Sequence, residues 1–393
     1  MNTITEEMRT ELTGRIIPFW RGLRDDEHGG YAGTVSFDLT RHPEADRGCI
    51  QNSRILWFFS EAYRTLGDAE LLDEADHAFA MLRKMTDEER GGVYWSLHQD
   101  GSPADTVKHT YCHAFAVYGL SAYRAASGSG EALERAKDLF RIMETRCRDE
   151  EGYLEAFTAD WQPAENRQTS GNGVRAVRTM NTLLHVMEAY TALYRVWPDP
   201  ELWDRLIDIL RIWETKVWNP EKRRQEVFFD REYHSLVDLY SYGHDIETSW
   251  LTEKTLEALD DPALTARIRP TLLEMADHTY DAAFTDHGFA NECEKGVVNQ
   301  RRIWWVQAEA LMGFLNAYEK TGEKRYRDAV LSQWAYIRDV MADQRPGSEW
   351  FWYVNEDGTP GEDEAIVEPW KCPYHNGRMC MEVLRRGFKE EEK

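Results

Sequence analysis

Histidine is the residue type whose placement in this sequence most directly indicates chemistry. Of twelve histidines, five fall at or just before the starts of predicted helices: His109, His113, His185, His244 and His375. An imidazole with an unperturbed pKa of about 6.5 can accept and return a proton at neutral pH. The other seven lie in predicted loops or exposed helical positions, where surface or core roles are expected.

Two short segments place a polar side chain beside a histidine on one helical face. Asn181 and His185 are four residues apart in MNTLLHVMEAY, and His244 and Glu247 are three apart in YGHDIETSWL. A carboxylate at that distance can orient an imidazole or raise its basicity. The structural alternatives are a core histidine bonded to a backbone carbonyl and, for Asp245, a helix cap.

The segment RRIWWVQAEALMGF combines aromatic and acidic side chains. Trp305 and Glu309 are four residues apart, and Trp304 is adjacent. An indole beside a carboxylate suits a sugar ring, which presents apolar C–H faces and hydroxyl edges, although tryptophan on an inner helix more often belongs to the core. The spacing favours Trp305 over Trp304 as the stacking residue and leaves the choice open.

Arg54 lies in NSRILWFF, at the start of a strongly apolar helical stretch. A buried guanidinium requires a partner. Either a carboxylate elsewhere in the fold or an oxyanion that develops on a substrate would meet that requirement.

Cysteine and histidine spacing gives little support for a metal or redox site, although two cysteines lie in WKCPYHNGRMC near the C-terminus. His109 and His113 are four residues apart, but neither an HExxH motif nor a carboxylate accompanies them. We therefore predict no metal site. The six cysteines form no CxxC pair and no zinc-finger pattern, so free buried thiols are expected at Cys49, Cys112, Cys147, Cys293, Cys372 and Cys380.

The charge balance argues against whole classes of partner. Lysine and arginine number 47 against 70 aspartates and glutamates, a formal net charge of −23, which opposes binding to nucleic acid or an anionic membrane. No apolar run approaches the roughly 20 residues of a membrane span, and the first residues lack the pattern of a signal peptide. We expect a cytoplasmic protein that acts on a neutral small molecule.

Several catalytic patterns do not occur in the sequence. It contains no Ser-His-Asp arrangement, no Gly-rich phosphate loop and no nucleotide fingerprint. Histidines together with an arginine that could hold an enolate oxygen indicate proton transfer next to a carbonyl group. Tryptophans beside them indicate that the carbonyl compound is a carbohydrate.

A sixfold repeat organises the chain. Short stretches rich in glycine and aromatic residues recur at positions 29, 91, 152, 226, 288 and 347, and each has the alternation of an extended or hairpin-like loop. Pairs of amphipathic helical segments joined by tight turns lie between them, for example NSRILWFFSEAYRTL followed by GDAELLDEADHAFAML. Further pairs are predicted near 246–257 with 262–283 and 300–320 with 323–341, and helices near 4–22 and after Tyr374 complete the set.

About twelve helices in six hairpins predict an all-α fold, a closed (α/α)6 barrel that forms a single domain over residues 1–393. An open α-solenoid is the alternative, but its turns would not all carry aromatic hairpins. The first helix of each hairpin would be the inner one. The long strand-like loops on one rim would then form the active-site pocket.

These motifs resemble those of the N-acylglucosamine 2-epimerase superfamily, and within it most closely the cellobiose 2-epimerases. The resemblance spans nearly the whole chain, from DEHGGYAG to PYHNGRMCMEVL, with KHTYCHAFAVYGLSAY, YGHDIETSWL and WWVQAEA in the family's order. It implies an (α/α)6 barrel and an isomerase that needs no metal or organic cofactor. The implied reaction is reversible C2 epimerisation of the reducing-end glucose of β-1,4-linked disaccharides, which converts cellobiose to glucosyl-mannose and lactose to epilactose.

The resemblance also implies catalytic roles. After ring opening, His244 and His375 would be the general acid/base pair that removes and returns the C2 proton through a cis-enediolate. His185 would assist ring opening, and Arg54 would stabilise the enediolate oxygen. Glu247 would orient His244.

Substrate contacts follow from the same motif matches. Hydroxyl groups would be bound by Tyr111, Asn181 and Glu309. Trp305 and Trp370 would stack on the sugar rings, and Trp250 would support the substrate or the site at one remove.

Other functions remain possible on the sequence alone. A relative within the superfamily could act on N-acetylglucosamine or isomerise mannose to fructose. An (α/α)6 glycoside hydrolase could use Glu247 and Glu309 as its carboxylate pair, and a silent sugar-binding protein would need no proton transfer. We expect a monomer or a weak homodimer; the preferred disaccharide and the direction in which each histidine acts as base stay open.

Overall fold

Helices account for most of the chain in the computed structural model, which describes residues 3–388. In that range six inner helices are buried along most of their length, and six outer helices cover them. The inner helices are α2 (Cys49–Leu66), α4 (Thr110–Ser127), α6 (Met180–Val196), α8 (Tyr242–Leu259), α10 (Trp304–Thr321) and α12 (His375–Arg386).

The outer helices include four that contain a π-helical turn. The two without one are α3 (Ala69–Lys84) and α9 (Pro262–Ala283). The four with one are α1 (Ile4–Glu11 and Ile17–Arg21, around Leu12–Ile16), α5 (Gly130–Ile142, then Met143–Cys147), α7 (Pro200–Ile212, then Trp213–Val217) and α11 (Lys324–Tyr336, then Ile337–Met341).

The inner helices form a closed ring. Helix α2 packs on α4, α4 on α6, α6 on α8, α8 on α10, α10 on α12, and α12 on α2. The first outer helix, α1, packs against α12 and completes the outer layer where the ring closes. The predicted (α/α)6 barrel is confirmed, and the open solenoid is wrong because the last inner helix contacts the first.

Short capped turns set the pairing of inner with outer helices. Helices α2, α4 and α10 end at glycines in the left-handed backbone conformation, Gly67, Gly128 and Gly322, which glycine adopts without a Cβ penalty. Four outer helices then start at an N-cap whose side chain accepts a backbone N–H, namely Asp68, Ser129, Asp199 and Asp261. Each turn therefore reverses the chain within a few residues.

Short antiparallel strands form the rim at which the inner helices begin. The residues just before an inner helix pair with a strand of the next loop: Arg47–Gly48 with Ser96–Leu97, Lys108–His109 with Ala156–Phe157, Arg178–Thr179 with Phe228–Phe229, Leu239–Ser241 with Glu292–Glu294, and Arg302–Ile303 with Tyr353–Val354. At the sixth position Val35 bridges Val367, ahead of α12. The rim is thus as closed as the helical ring beneath it.

The remaining strands extend these loops. They pair as Thr34–Val35 with Arg41–His42, Ser96–Leu97 with Pro103–Asp105, Trp218–Asn219 with Arg224–Gln225, Phe284–Thr285 with Gly288–Phe289, and Glu292–Glu294 with Val297–Asn299. The predicted strand-like loops are confirmed.

Some predicted helix starts were displaced. The helix expected from position 300 begins at Trp304, because residues 302–303 pair as a strand. The helix expected from position 246 begins earlier, at Tyr242, directly after the strand that ends at Ser241.

The structure also bears on the cysteines and on membrane-spanning segments. The six cysteines are free thiols, all buried except Cys293, which is half-buried. Within residues 3–388, helices with both the length and the apolar character needed to cross a membrane do not occur.

The inner helices approach one another most closely where glycine removes a side chain. Gly119 of α4 faces α2, and a Cβ at this position would lie 2.6 Å from the backbone carbonyl oxygen of Ser53. A backbone atom cannot move aside as a flexible side chain can. The contact between α2 and α4 therefore depends on the missing side chain.

Replacing Gly119 by Ala should separate α2 from α4 and destabilise the barrel by about 1–3 kcal/mol, the usual range for overpacking. The measurement is the midpoint of thermal unfolding by calorimetry. Gly130→Ala is the matched control, because Gly130 lies in helix α5 and a Cβ there would meet nothing within 4 Å. A Gly119→Ala variant as stable as Gly130→Ala would contradict the close packing.

Candidate active site

A cavity of about 200 Å³ opens on the barrel axis, at the end where the inner helices begin. All six inner helices contribute to it, as do the loops that carry Trp352 and Trp370. Its lining consists of Arg54, Tyr111, Asn181, His185, His244, Glu247, Trp304, Trp305, Trp352, Trp370 and His375. Nine of the eleven residues predicted for the site therefore line one cavity, although they come from distant parts of the sequence.

Each of the three cavity histidines has its Nδ1 atom hydrogen-bonded on the side away from the cavity. Nδ1 of His375 lies 2.7 Å from a carboxylate oxygen of Glu309, and Nδ1 of His185 lies 2.9 Å from Glu188. These contacts fix the rings and direct Nε2 toward the cavity.

His244 is held differently, by a hydroxyl group. Its Nδ1 lies 2.7 Å from Oγ of Ser241, the residue just before α8. The ring of Trp305 contacts both His244 and His375, with centroid distances of 4.7 and 5.6 Å. The two histidines predicted to act as a pair thus share one indole neighbour.

All three imidazoles are neutral at neutral pH. Burial is the main cause: it lowers the pKa of His244 to about 3 and lowers those of His185 and His375 below the usual range. The charges of Arg54 and Arg378 lower the pKa of His375 further. The histidines are consequently in the form that accepts a proton.

Arg54 is buried at the cavity wall. Its guanidinium donates to the backbone carbonyl of Trp370 at 3.0 Å and to the hydroxyl of Tyr111 at 2.9 Å, and it lies 4.1 Å from the ring centroid of Phe115. Among residues 3–388, none of the carboxylates is within ion-pair distance of it. The charge of Arg54 is therefore available to an anion in the cavity.

Three buried polar atoms at the cavity find no hydrogen-bond partner among the described residues. They are Nε of Arg54, Oδ1 of Asn181 and Nε1 of Trp304. Buried polar atoms normally have a hydrogen-bond partner, and the hydroxyl groups of a ligand would supply one to each of these three atoms. Trp304 is 3% exposed, whereas Trp305 is half-buried, which favours Trp305 as the stacking residue.

Arg378 lies behind the histidines, one turn after His375 on α12. Its Nη1 donates to Glu188 at 2.5 Å and also to the hydroxyl of Tyr374. Its Nη2 donates to Glu247 at 2.8 Å and to Glu309 at 2.7 Å. One guanidinium thus holds three buried carboxylates, which belong to α6, α8 and α10.

The three carboxylates differ in protonation. Burial opposes ionisation of Glu188, but the charge of Arg378 and the hydrogen bond from His185 outweigh it and lower its pKa to about 2. Burial, followed by the adjacent charge of Glu309, raises the pKa of Glu247 well above its usual range. Glu247 and Glu309 share one nitrogen of Arg378 and titrate as a pair.

The contacts of two predicted site residues differ from the predicted ones. Glu247 does not orient His244, because its carboxylate points to Arg378 and Ser241 takes the predicted place. Glu309 was expected to bind substrate hydroxyls, but it is fully buried and bonds His375 instead. The carboxylate that orients the His375 imidazole, that of Glu309, thus comes from a different helix.

Trp250, predicted to support the substrate or the site at one remove, does not line this cavity. Its Nε1 donates to Glu309 at 2.9 Å, and its ring packs beneath Arg378 at 4.8 Å. His109 and His113, the other two histidines at helix starts, do not line the cavity and instead hold loops: His109 contacts Asn166, and His113 accepts the backbone N–H of Val93.

Sequence reasoning missed five residues of the site, namely Glu188, Ser241, Trp352, Tyr374 and Arg378. Helical spacing could have indicated two of them, because Glu188 lies three residues after His185 and Arg378 three after His375. Ser241, three residues before His244, carries a weaker signal of the same kind.

Glu247, Glu309 and His375 offer ligand atoms within 4.8 Å of one another, a spacing that a metal ion could use. Nη2 of Arg378 bonds both of these carboxylates. The guanidinium therefore takes the position between them that a cation would hold and supplies its positive charge.

Comparison with known proteins gives a consistent result. The sequence model of the N-acylglucosamine 2-epimerase (GlcNAc 2-epimerase) family matches residues 29–376. A cellobiose 2-epimerase of Eubacterium cellulosolvens is 48% identical, with 98% of each chain covered. The crystal structure of a sugar epimerase from a ruminal bacterium has a TM-score of 0.98 at 44% identity, covering 99% of this chain and 100% of that one. The cellobiose 2-epimerase of Bacillus thermoamylovorans has a TM-score of 0.94 at 42% identity, covering 98% and 100%.

Replacing Arg378 by Gln should leave three buried carboxylates without their counter-charge. We expect the free energy of unfolding at pH 7 to fall by about 3–5 kcal/mol, the range for breaking a buried ion pair, measured by urea denaturation. The stabilisation of Glu188 is present above its unfolded pKa of 4.5 and is lost as pH falls toward about 2. The variant should therefore show a flatter pH dependence of stability in that interval.

Arg385→Gln on the same helix is the control. Arg385 is one-third exposed and pairs with Glu61 at the end of the barrel where the inner helices finish, so its loss should change the free energy of unfolding by no more than about 1 kcal/mol. An equal decrease in the free energy of unfolding in the two variants would contradict the prediction that the buried Arg378 cluster stabilises the fold more than a partly exposed ion pair does.

Proposed function

The chain belongs to the N-acylglucosamine 2-epimerase family, and we propose that it catalyses reversible C2 epimerisation of the reducing-end glucose of β-1,4-linked disaccharides. Relatives of 40–48% identity over nearly the whole chain are cellobiose 2-epimerases. The observation that carries the proposal is the pair of neutral histidines, His244 and His375, that line one cavity and both contact Trp305. Cellobiose would give glucosyl-mannose, and lactose would give epilactose.

The first step is ring opening. Nε2 of His185 would accept the proton of O1 and return one to O5, so that the C1–O5 bond breaks and the aldehyde forms. Glu188 supports this role, because its carboxylate accepts the Nδ1–H of His185 at 2.9 Å and stabilises the imidazolium that forms in passing.

The second step moves the C2 proton. One of His244 and His375 would take it at Nε2 while the C2–H electrons form the C1=C2 bond of a cis-enediolate. The other would then donate a proton to the opposite face of C2, which inverts its configuration. For His375, the Glu309 carboxylate at Nδ1 would stabilise the imidazolium.

Arg54 would hold the charge that develops on the enediolate oxygen. Its guanidinium is already fixed by Tyr111 and the backbone of Trp370, so little reorganisation is needed during the reaction. The inner helices also begin at the cavity, and their N-terminal ends carry partial positive charge that favours the same anion.

Binding would use stacking and hydrogen bonds. We propose that Trp305 and Trp370 stack on the sugar rings and that Tyr111 and Asn181 contact hydroxyl groups. Glu309 and Trp250 would position His375 from behind.

The geometry gives less support to a glycoside hydrolase. That reaction needs two carboxylates that face the glycosidic bond. Glu247 and Glu309 instead both bond one nitrogen of Arg378, and Glu309 is fully buried.

We also propose that the protein forms a single domain over residues 1–393 and acts in the cytoplasm as a monomer or weak homodimer. The exposed large apolar side chains in the described part of the chain are few, which is typical of proteins without a large permanent interface. They are Val177, Leu236, Val297, Val298 and Leu331.

Incubation with cellobiose in D₂O tests the reaction and the substrate together. We expect glucosyl-mannose that carries solvent deuterium at C2, because the returning proton comes from a histidine that exchanges with water. Mass spectrometry and proton NMR of the separated sugars measure both. Mannose and N-acetylglucosamine serve as comparison substrates: conversion of either one alone would assign the protein to a monosaccharide branch of the family, and release of free glucose would indicate hydrolysis.

Single replacements of the two histidines test the two-base scheme. His244→Asn and His375→Asn should each lower epimerisation by at least about 10²-fold, because each removes a positioned acid or base. Each variant keeps one of the two bases, so each should still exchange the C2 proton of one epimer with D₂O. The epimer that exchanges should differ between His244→Asn and His375→Asn. Exchange confined to the same epimer in both variants would contradict opposite-face bases, and near-normal turnover in either would remove that residue from the scheme.

A further inference from the structure

The charge of Arg54 has no acidic partner among residues 3–388. Its side chain is 3% exposed, and a cation at that depth normally requires an ionised neighbour. Two carboxylates of the layer behind the cavity, those of Glu188 and Glu247, are bonded to Arg378 instead. The fold must therefore stabilise the guanidinium of Arg54 by other means.

The polar groups beside Arg54 do not supply a negative charge. Burial raises the pKa of the Tyr111 hydroxyl, which accepts a hydrogen bond from the guanidinium at 2.9 Å. Burial also raises the pKa of the neighbouring Cys372 thiol to about 11, although the charge of Arg54 opposes that shift. The remaining contact is the backbone carbonyl of Trp370. All three groups are neutral at pH 7, so the charge of Arg54 is not offset.

Aromatic rings take the place of an acid around this guanidinium. Cζ of Arg54 lies over the ring of Phe115, 4.1 Å from its centroid. The rings of Tyr374 and Tyr111 follow at 4.7 and 5.9 Å. The face of an aromatic ring is electron-rich and attracts a cation, most strongly where water is excluded. The rings therefore stabilise the buried charge without neutralising it.

Phe115 is the ring nearest to Arg54, and its neighbours fix it in place. It is fully buried, four residues after Tyr111 on α4. Its centroid lies 4.9 Å from that of Tyr111, 4.8 Å from that of His185 and 5.4 Å from that of Tyr374. Phe115 does not line the active-site cavity, so it can affect the reaction only through the groups that it holds.

We propose, on the basis of the proposed function, that Phe115 is a positioning residue whose ring replaces the acidic partner of Arg54. An acid at this position would hold the guanidinium equally well, but it would compete with the enediolate for the same charge. The aromatic face instead fixes the guanidinium at the cavity wall and leaves its positive charge for the enediolate oxygen.

Replacing Phe115 by Leu keeps an apolar side chain and removes the aromatic face. We expect kcat for cellobiose to fall by roughly 10- to 30-fold, the kinetic equivalent of a desolvated cation–π contact. KM should change by less than about twofold, because the neutral sugar does not require the charge. Cellobionate, which carries a carboxylate at C1, should lose affinity by the same factor as kcat, measured as its inhibition constant.

Phe59→Leu is the matched control. Phe59 is fully buried on α2, the helix that carries Arg54, but its ring packs on Tyr31 and does not line the cavity. This variant should keep its kcat and its affinity for cellobionate. Unchanged kcat and cellobionate affinity in Phe115→Leu, or an equal loss of both in Phe59→Leu, would overturn the proposal.

Replacing Phe115 by trifluorophenylalanine tests the contact even if Phe115→Leu does not fold. Fluorine nearly preserves the shape of the ring and greatly weakens the negative potential of its face. We expect the equilibrium constant of folding to fall by about tenfold, measured by urea denaturation, and to change much less when Phe59 is replaced in the same way. Equal changes at the two positions would overturn the proposal. This measurement involves no sugar, so a failure to epimerise cellobiose would count against the proposed function alone.

Discussion

The guanidinium of Arg378 is the interaction on which the rest of the site depends. It lies on the barrel axis and holds carboxylates from three other inner helices, Glu188, Glu247 and Glu309. Two of these carboxylates, Glu188 and Glu309, are hydrogen-bonded to Nδ1 of His185 and of His375. A single buried charge therefore fixes the rings of two histidines and also joins four of the six inner helices. Removing one partner from such a cluster costs more than the cluster contributes, because the others stay buried and unpaired.

The closed ring explains why these groups meet. Each inner helix presents a stripe of side chains along the axis: on α12 the stripe is His375, Arg378, Glu382 and Arg385. His375 faces the active site, Arg378 lies behind it, and Glu382 and Arg385 line a cavity at the opposite end of the barrel. Because every inner helix begins at the same rim, first positions that are far apart in sequence become neighbours in one cavity.

The sequence predicted the fold well because the repeat and the capping signals are local. It also predicted nine of the lining residues, since motifs at helix starts fall on one rim once the barrel closes. It did not predict the partners, and Glu247 shows why. Glu247 is three residues from His244, yet it points to Arg378, because contacts across the axis depend on the ring of helices and not on spacing within one of them. Glu309, on α10, reaches His375 on α12 for the same reason.

The carboxylates held by Arg378 orient His185 and His375, Ser241 orients His244, and burial keeps all three rings neutral, with Nε2 toward the cavity. The most direct measurement is the ¹⁵N chemical shift of His185, His244 and His375 as a function of pH, with each signal assigned by replacement of its residue. Burial lowers the pKa of all three rings, that of His244 to about 3, so the structure predicts that each titrates below a free imidazole and is neutral at pH 7, with the proton on Nδ1 in His185 and His375. A titration of any of the three with a pKa of about 6.5, the value of a free imidazole, would contradict it.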